Sequence, residues 1–124
     1  MQEQMTLGEM ISALQKCDQD ATVRFDFGGL HPASMDSYRG YYDQLAIGFE
    51  SNLTGSNTGK VGWLLEQCQF SIEHVFHGYK GGEYQMSLDT PLWVANYGQC
   101  HGTAVVGVRD LGYMVIIETA YLDN

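Results

Sequence analysis

Basic residues are what this 124-residue chain has least of: six lysines and arginines stand against fifteen aspartates and glutamates, a formal charge of -9. That balance excludes a long nucleic-acid polymer as partner, because such binding needs many cations to displace condensed counterions. A compact anion remains possible, since one or two cations in a low-dielectric pocket can hold it against an unfavourable overall field. Proline is almost absent, with two residues, and the 44% apolar content is that of a globular chain. Apolar runs are too short to span a bilayer, and Met1 to Met5 lacks the basic and apolar regions of a secretory signal. The expected location is cytoplasmic, with no membrane partner. Cysteine is sparse, odd in number and widely spaced at Cys17, Cys68 and Cys100. No C-x-x-C pair is present, so these residues read as reduced core thiols and not as disulfides, zinc ligands or a redox pair. Residues 1–124 form one domain, large enough to bury about two thirds of its unfolded surface.

The apolar periodicity predicts an α+β fold, a mostly antiparallel sheet with two helices packed on one face. Thr6-Leu7-Gly8-Glu9 has the form of a capping box, and Leu7, Met10, Ile11 and Leu14 recur at helical spacing, predicting a helix over 7–17. Thr22 to Phe27 alternates, predicting a strand with Val23, Phe25 and Phe27 inward. Residues 28–42, rich in Gly, Ser, Pro and Tyr, read as a long loop. Leu45, Ile47 and Phe49 mark a second strand over 44–50. A second helix is expected from near Thr58, with Val61, Leu64, Leu65 and Cys68 on its apolar side and Trp63 nearby. Further strands are expected over 92–97, 103–108 and 113–118, the last two joined through Asp110-Leu111-Gly112.

Two segments concentrate aromatic rings, cations and glycines. The first is Asp36-Ser37-Tyr38-Arg39-Gly40-Tyr41-Tyr42-Asp43; the second runs from Phe76 through His77, Gly78, Tyr79, Lys80, Gly81, Gly82, Glu83, Tyr84 and Gln85 to Met86. Arginine pairs bidentately with phosphate oxygens, and tyrosines offer flat faces to a base and hydroxyls to a sugar or phosphate. The ligand this chemistry points to is small, phosphate-bearing and equipped with a base. A Gly81-Gly82 turn in the second segment would set Lys80 opposite Glu83, Tyr79 opposite Tyr84 and His77 opposite Met86. Plainer readings exist: the tyrosines pack the loop onto the sheet while Arg39 pairs with Asp36 or Asp43, and Lys80 and Glu83 form a cross-strand ion pair. Asn96 could read a base edge or cap a strand. Arg109 is a spare phosphate contact or a solvated side chain. His74, His77, His101 and Cys100 repeat no known zinc spacing, so no metal and no cofactor are expected.

The Thr-Leu-Gly-Glu helix start, Ser37 to Ala46, Gly78 to Met86 and Thr90 to Gly98 together resemble a widespread family of small phage proteins. That family is similar in size and motif to viral sponge proteins, which bind the nucleotide second messengers of bacterial antiphage systems without cleaving them. The resemblance implies a non-enzymatic protein, expected to be a homo-oligomer. Its ligand would be a CBASS cyclic oligonucleotide or a Thoeris cyclic ADP-ribose isomer. The ligand-binding residues expected on this basis are Ser37, Tyr38, Arg39, Tyr41, Tyr42, His77, Tyr79, Lys80, Glu83, Tyr84 and Asn96. The alternatives are a metal-independent phosphodiesterase with His77 as base, and an inhibitor that binds a host protein.

Overall fold

The computed structural model of the protein describes residues 4–38, 41–50, 59–77, 82–95 and 102–121, with the backbone alone described at 37, 38, 41–43, 50, 76, 77 and 84. The two helices begin in opposite ways. Helix α1 (Leu7–Gln15) starts on the expected capping box, in which the Glu9 amide donates to Thr6 Oγ1 at 3.2 Å and the Thr6 amide donates to Glu9 Oε1 at 2.9 Å. Its stripe of Leu7, Met10, Ile11 and Leu14 is buried. It ends two residues before the expected 17, where the Gln19 side-chain amide donates to Leu14 O and Cys17 O. Helix α2 (Val61–Glu73) has no side-chain cap at Lys60. Its first amides are satisfied from elsewhere in the chain: Val61 donates to Ala21 O at 3.0 Å and Gly62 to Gln19 O at 2.9 Å. The buried face of Val61, Leu64, Leu65 and Cys68 is the one the periodicity predicts.

Eight strands follow in chain order: β1 (Thr22–Phe25), β2 (His31–Tyr38), β3 (Tyr41–Glu50), β4 (Val75–His77), β5 (Glu83–Gln85), β6 (Leu92–Val94), β7 (Thr103–Asp110) and β8 (Met114–Tyr121). Six of them form one sheet in the order β1-β8-β7-β6-β3-β2, and β4 and β5 pair separately. The class is α+β, as expected, but the sheet is mixed. β1 runs parallel to β8, and β3 parallel to β6. Both parallel pairs join segments distant in sequence, and α2 lies on the connection from β3 to β6, as a parallel crossover requires. The other three ladders are antiparallel, as most of the sheet was expected to be; the two parallel ones were not foreseen because local alternation carries no information on such pairing.

The expected long loop over 28–42 is also corrected. It contains β2 and the start of β3, which pair antiparallel from His31↔Glu50 to Tyr38↔Tyr41 with register shifts at Pro32/Ser34 and Ser37/Tyr38. β2 is an edge strand of mostly polar residues, and an edge tolerates a proline and irregular pairing that a central strand does not.

The sheet curls until its two edges face each other, giving a nearly closed barrel. Phe25 N donates to Leu30 O at 2.9 Å, and His31 Nδ1 lies 3.1 Å from Val23 O. Phe25, Phe27 and Phe49 pack together here, with ring centroids 5.2 to 6.2 Å apart. Among the described residues β6 and β7 pair at Trp93↔Ala104 alone, and the segment before α1 lies beside them: Met5 N donates to Val105 O at 2.7 Å and Leu92 N donates to Met5 O at 3.0 Å. The main core lies between the helices and the inner sheet face, where Val23, Leu45, Ile47, Leu92, Val94, Val105, Val115 and Ile117 meet Leu7, Met10, Leu14, Val61 and Leu64. A smaller cluster of Ala46, Trp93, Ala104 and Val106 sits on the outer face. Among the described residues, no helix is long and apolar enough to cross a membrane.

Candidate functional site

The two motif-bearing segments lie on hairpins that touch. β4 lies against β2, and β5 against β3, so Ser37, Tyr38, Tyr41 and Tyr42 belong to strands that neighbour those of His77, Glu83 and Tyr84 within one chain. α2 supports the arrangement from below: Cys68 Sγ lies 4.0 Å from Met35 Sδ on β2, and α2 also contacts β5. Arg39, Tyr79, Lys80 and Asn96 lie outside the described residues. The side chains of Ser37, Tyr38, Tyr41, Tyr42, His77 and Tyr84 do too. Glu83 is exposed.

The register of the second hairpin differs from the expected one. Val75 faces Gln85, Phe76 faces Tyr84 and His77 faces Glu83, three residues away from the pairing that a Gly81-Gly82 turn would impose. Five residues, 78–82, therefore separate the paired positions, and Gly82 has the positive φ of 90°. Met86, placed opposite His77 by the expected register, is instead buried in the main core beyond the end of β5. Anchoring that side chain outweighs the preference for a two-residue turn. The neighbour across the ladder from His77 is thus a carboxylate-bearing residue.

A second constellation was not anticipated as a unit. On the outer face, β1, β8 and β7 bring Arg24, Ile116 and Arg109 into one cross-strand row, since Arg24 pairs with Ile116 and Ile116 with Arg109. Two residues along β8, Glu118 pairs with Gly107, and Asp26 follows the end of β1. Arg24, Arg109, Ile116, Asp26 and Glu118 line, with Phe27, Gly28 and Gly29, a cleft of about 300 Å³. Gly28 and Gly29 both have φ of 62°, a left-handed conformation that only glycine adopts without strain, and they turn the chain from β1 towards β2.

The charges of this cleft are satisfied unequally. Asp26 accepts from the Thr119 amide at 2.9 Å and from the Thr119 hydroxyl at 2.6 Å. Arg109, exposed, pairs with Glu118 at 2.9 Å. Gly107 gives that carboxylate its room, because a Cβ there would lie 2.6 Å from Glu118 Oε1. Arg24 is half-buried and has no hydrogen-bond or ion-pair partner among the described residues, and its Nε is fully shielded from solvent without an acceptor. Such an unsatisfied buried donor costs about 1–3 kcal/mol. Arg109 was read from the sequence as a solvated side chain or a spare phosphate contact, whereas Arg24 was not singled out. The usable sequence signal was a charged pair, Arg24 and Asp26, on the outward side of an alternating strand.

The cysteines behave as core residues where they are described. Cys17 and Cys68 are free and buried; Cys100 lies outside the described residues. Burial pushes the Cys68 thiol up to about 12, and burial, followed by the nearby Asp110 carboxylate, raises that of Cys17. Neither thiol forms a thiolate at neutral pH. Among the described residues, no group of three or more His, Cys, Asp and Glu side chains could hold a metal ion. Compared with family models, curated proteins and solved structures, the chain matches none.

Proposed function

We propose that this chain is a phage-encoded sponge that binds and sequesters a cyclic nucleotide or cyclic ADP-ribose-type immune messenger without cleaving it, and so blunts CBASS or Thoeris defence. The observation that supports this reading is the contact of β2 with β4 and of β3 with β5, the strands to which the described parts of the two motif segments belong. Tyr38, Tyr41 and Tyr84 stack on or close over bases, Arg39 and Lys80 hold phosphates, and Asn96 reads a polar edge. Ser37, Tyr42, His77, Tyr79 and Glu83 complete the walls. Tight binding suffices, because withdrawing the free signal silences its effector by mass action. A homo-oligomer is part of the proposal.

A thermal-shift panel of cyclic dinucleotides, cyclic trinucleotides and ADP-ribose isomers tests it. A ligand at a hundred times its Kd stabilises by about 2.7 kcal/mol, which raises the melting midpoint on the order of 10 °C in a domain of this size. Absence of any shift overturns the reading and favours a host-protein partner. One observation favours cleavage as the second reading: the ladder sets His77 opposite Glu83, a carboxylate that can orient an imidazole acting as base. Mass spectrometry of ligand released from the heat-denatured complex separates the two, an intact ring marking the sponge and a linear product the phosphodiesterase.

A further inference from the structure

We propose that the Arg24–Arg109 cleft is a second binding site, for the phosphate or carboxylate group of a small hydroxylated molecule. It is separate from the tyrosine-bearing hairpins. The Gly28–Gly29 turn leads into β2 at His31, whereas the tyrosine segment begins at the other end of that strand, and the seven-residue rise from His31 to Tyr38 is roughly 23 Å.

Three features make the cleft a site for an oxyanion. First, Arg24 and Arg109 flank Ile116 from strands two spacings apart, about 10 Å between backbones, so their guanidinium groups can converge over one ligand from opposite sides. Second, Arg24 has no acceptor among the described residues, and its Nε is shut off from water, so an oxyanion admitted by a small opening of the cleft would accept from a donor otherwise unsatisfied there. Third, Arg109 is held by a single exposed ion pair with Glu118, which is readily exchanged for a ligand oxygen. Glu118 and Asp26 then face the same ligand as acceptors, which calls for hydroxyl donors beside its anionic group. Two of the chain's three arginines lie here in a protein of formal charge -9, and the Asp26 carboxylate is hydrogen-bonded by Thr119, whereas the Arg24 Nε has no acceptor among the described residues.

The rival cleft of about 240 Å³ around Gln19, Lys60 and Glu66 is less suited. The amides at the start of α2 that could have served an anion there already donate to Ala21 O and Gln19 O.

With three arginines in the chain, the Nε–Hε region of a ¹H–¹⁵N spectrum carries few signals, and the Arg24 signal is the one missing from Arg24→Lys. Titration of the whole protein with inorganic phosphate and, separately, with acetate, at constant ionic strength in chloride, should move the Arg24 signal to saturation with at least one of them. Saturation by phosphate assigns a phosphate site; saturation by acetate alone assigns a carboxylate site. Arg109→Gln should weaken that binding at least tenfold, while Lys16→Gln, a charge change on the exposed end of α1, leaves it unchanged. A linear, unsaturable drift with both anions overturns the proposal, and so does an Arg109→Gln protein that binds as the parent does.

Discussion

The strands β1 and β8 carry two chemically opposite surfaces on the same few residues. Val23 and Phe25, with Val115 and Ile117, face the helices and are almost fully buried; Arg24, Ile116 and Glu118, one residue out of phase, face the outer cleft. Alternation puts apolar packing and unsatisfied charge on opposite sides of one backbone. The inner side fixes the fold, and the outer side can carry a charge that contributes nothing to stability because rigid, well-packed strands hold it in place. A substitution one position along β1 should therefore report on a different property of the protein.

The sharpest test is Phe25→Ala. It removes a ring that is 1% exposed and packs on Phe27 and Phe49, and should cost about 3–5 kcal/mol in chemical denaturation. A loss under 1 kcal/mol would show that the inner side is not the stabilising one.

The pH response of Cys68 probes the same core through its charge. Burial pushes its folded pKa up to about 12 from the ordinary thiol value of 9.0, so the neutral thiol is favoured by folding. Its contribution is fully present below pH 9 and is lost as pH rises from about 9 towards 12, at up to about 1.4 kcal/mol per pH unit. Denaturant midpoints measured across that window should fall less steeply in Cys68→Ala than in the parent, and equal slopes would remove the buried-thiol account.

On the outer side, Arg24→Leu should leave stability unchanged or raise it by up to about 1–3 kcal/mol, because it deletes an unsatisfied buried donor and keeps apolar bulk. A loss comparable to that of Phe25→Ala would erase the contrast between the faces. The smallest effect is expected from Glu118→Gln: its pair with the exposed Arg109 is worth about 0–1 kcal/mol and should fade further in high salt, as a melt at two ionic strengths would show.

Much of the inner side was legible in the sequence. The Thr6/Glu9 capping box, the helical stripe of Leu7, Met10, Ile11 and Leu14, the alternation of Val23 and Phe25, and the apolar face of α2 each arise from neighbours within a few turns or strand positions. Strand β2 was illegible because an edge strand needs few apolar residues, and Met35 is the single larger aliphatic side chain in it. The second hairpin was misregistered because its turn glycines are local, whereas the burial of Met86 that sets the register is not. The proposed ligand residues were readable as a composition of rings and cations, and their strands prove to be neighbours only through contacts between the two hairpins.

By itself the sequence determined which residues of α1, α2 and β1 turn inward, since amphipathic periodicity depends only on chain geometry and solvent. It also determined the scarcity of cations that makes each placed arginine informative. The tertiary structure alone decided the parallel pairing of β1 with β8, which joins residues more than ninety positions apart. It also decided which way Arg109 points. Strict alternation along β7 from the inward Val105 would put Arg109 inside, but the register shift between Val105 and Gly107 reverses the phase and carries it to the outer face beside Arg24. A bulge is set by the partner strand as much as by its own residues, and that one extra residue separates a strand-end arginine from half of a binding site.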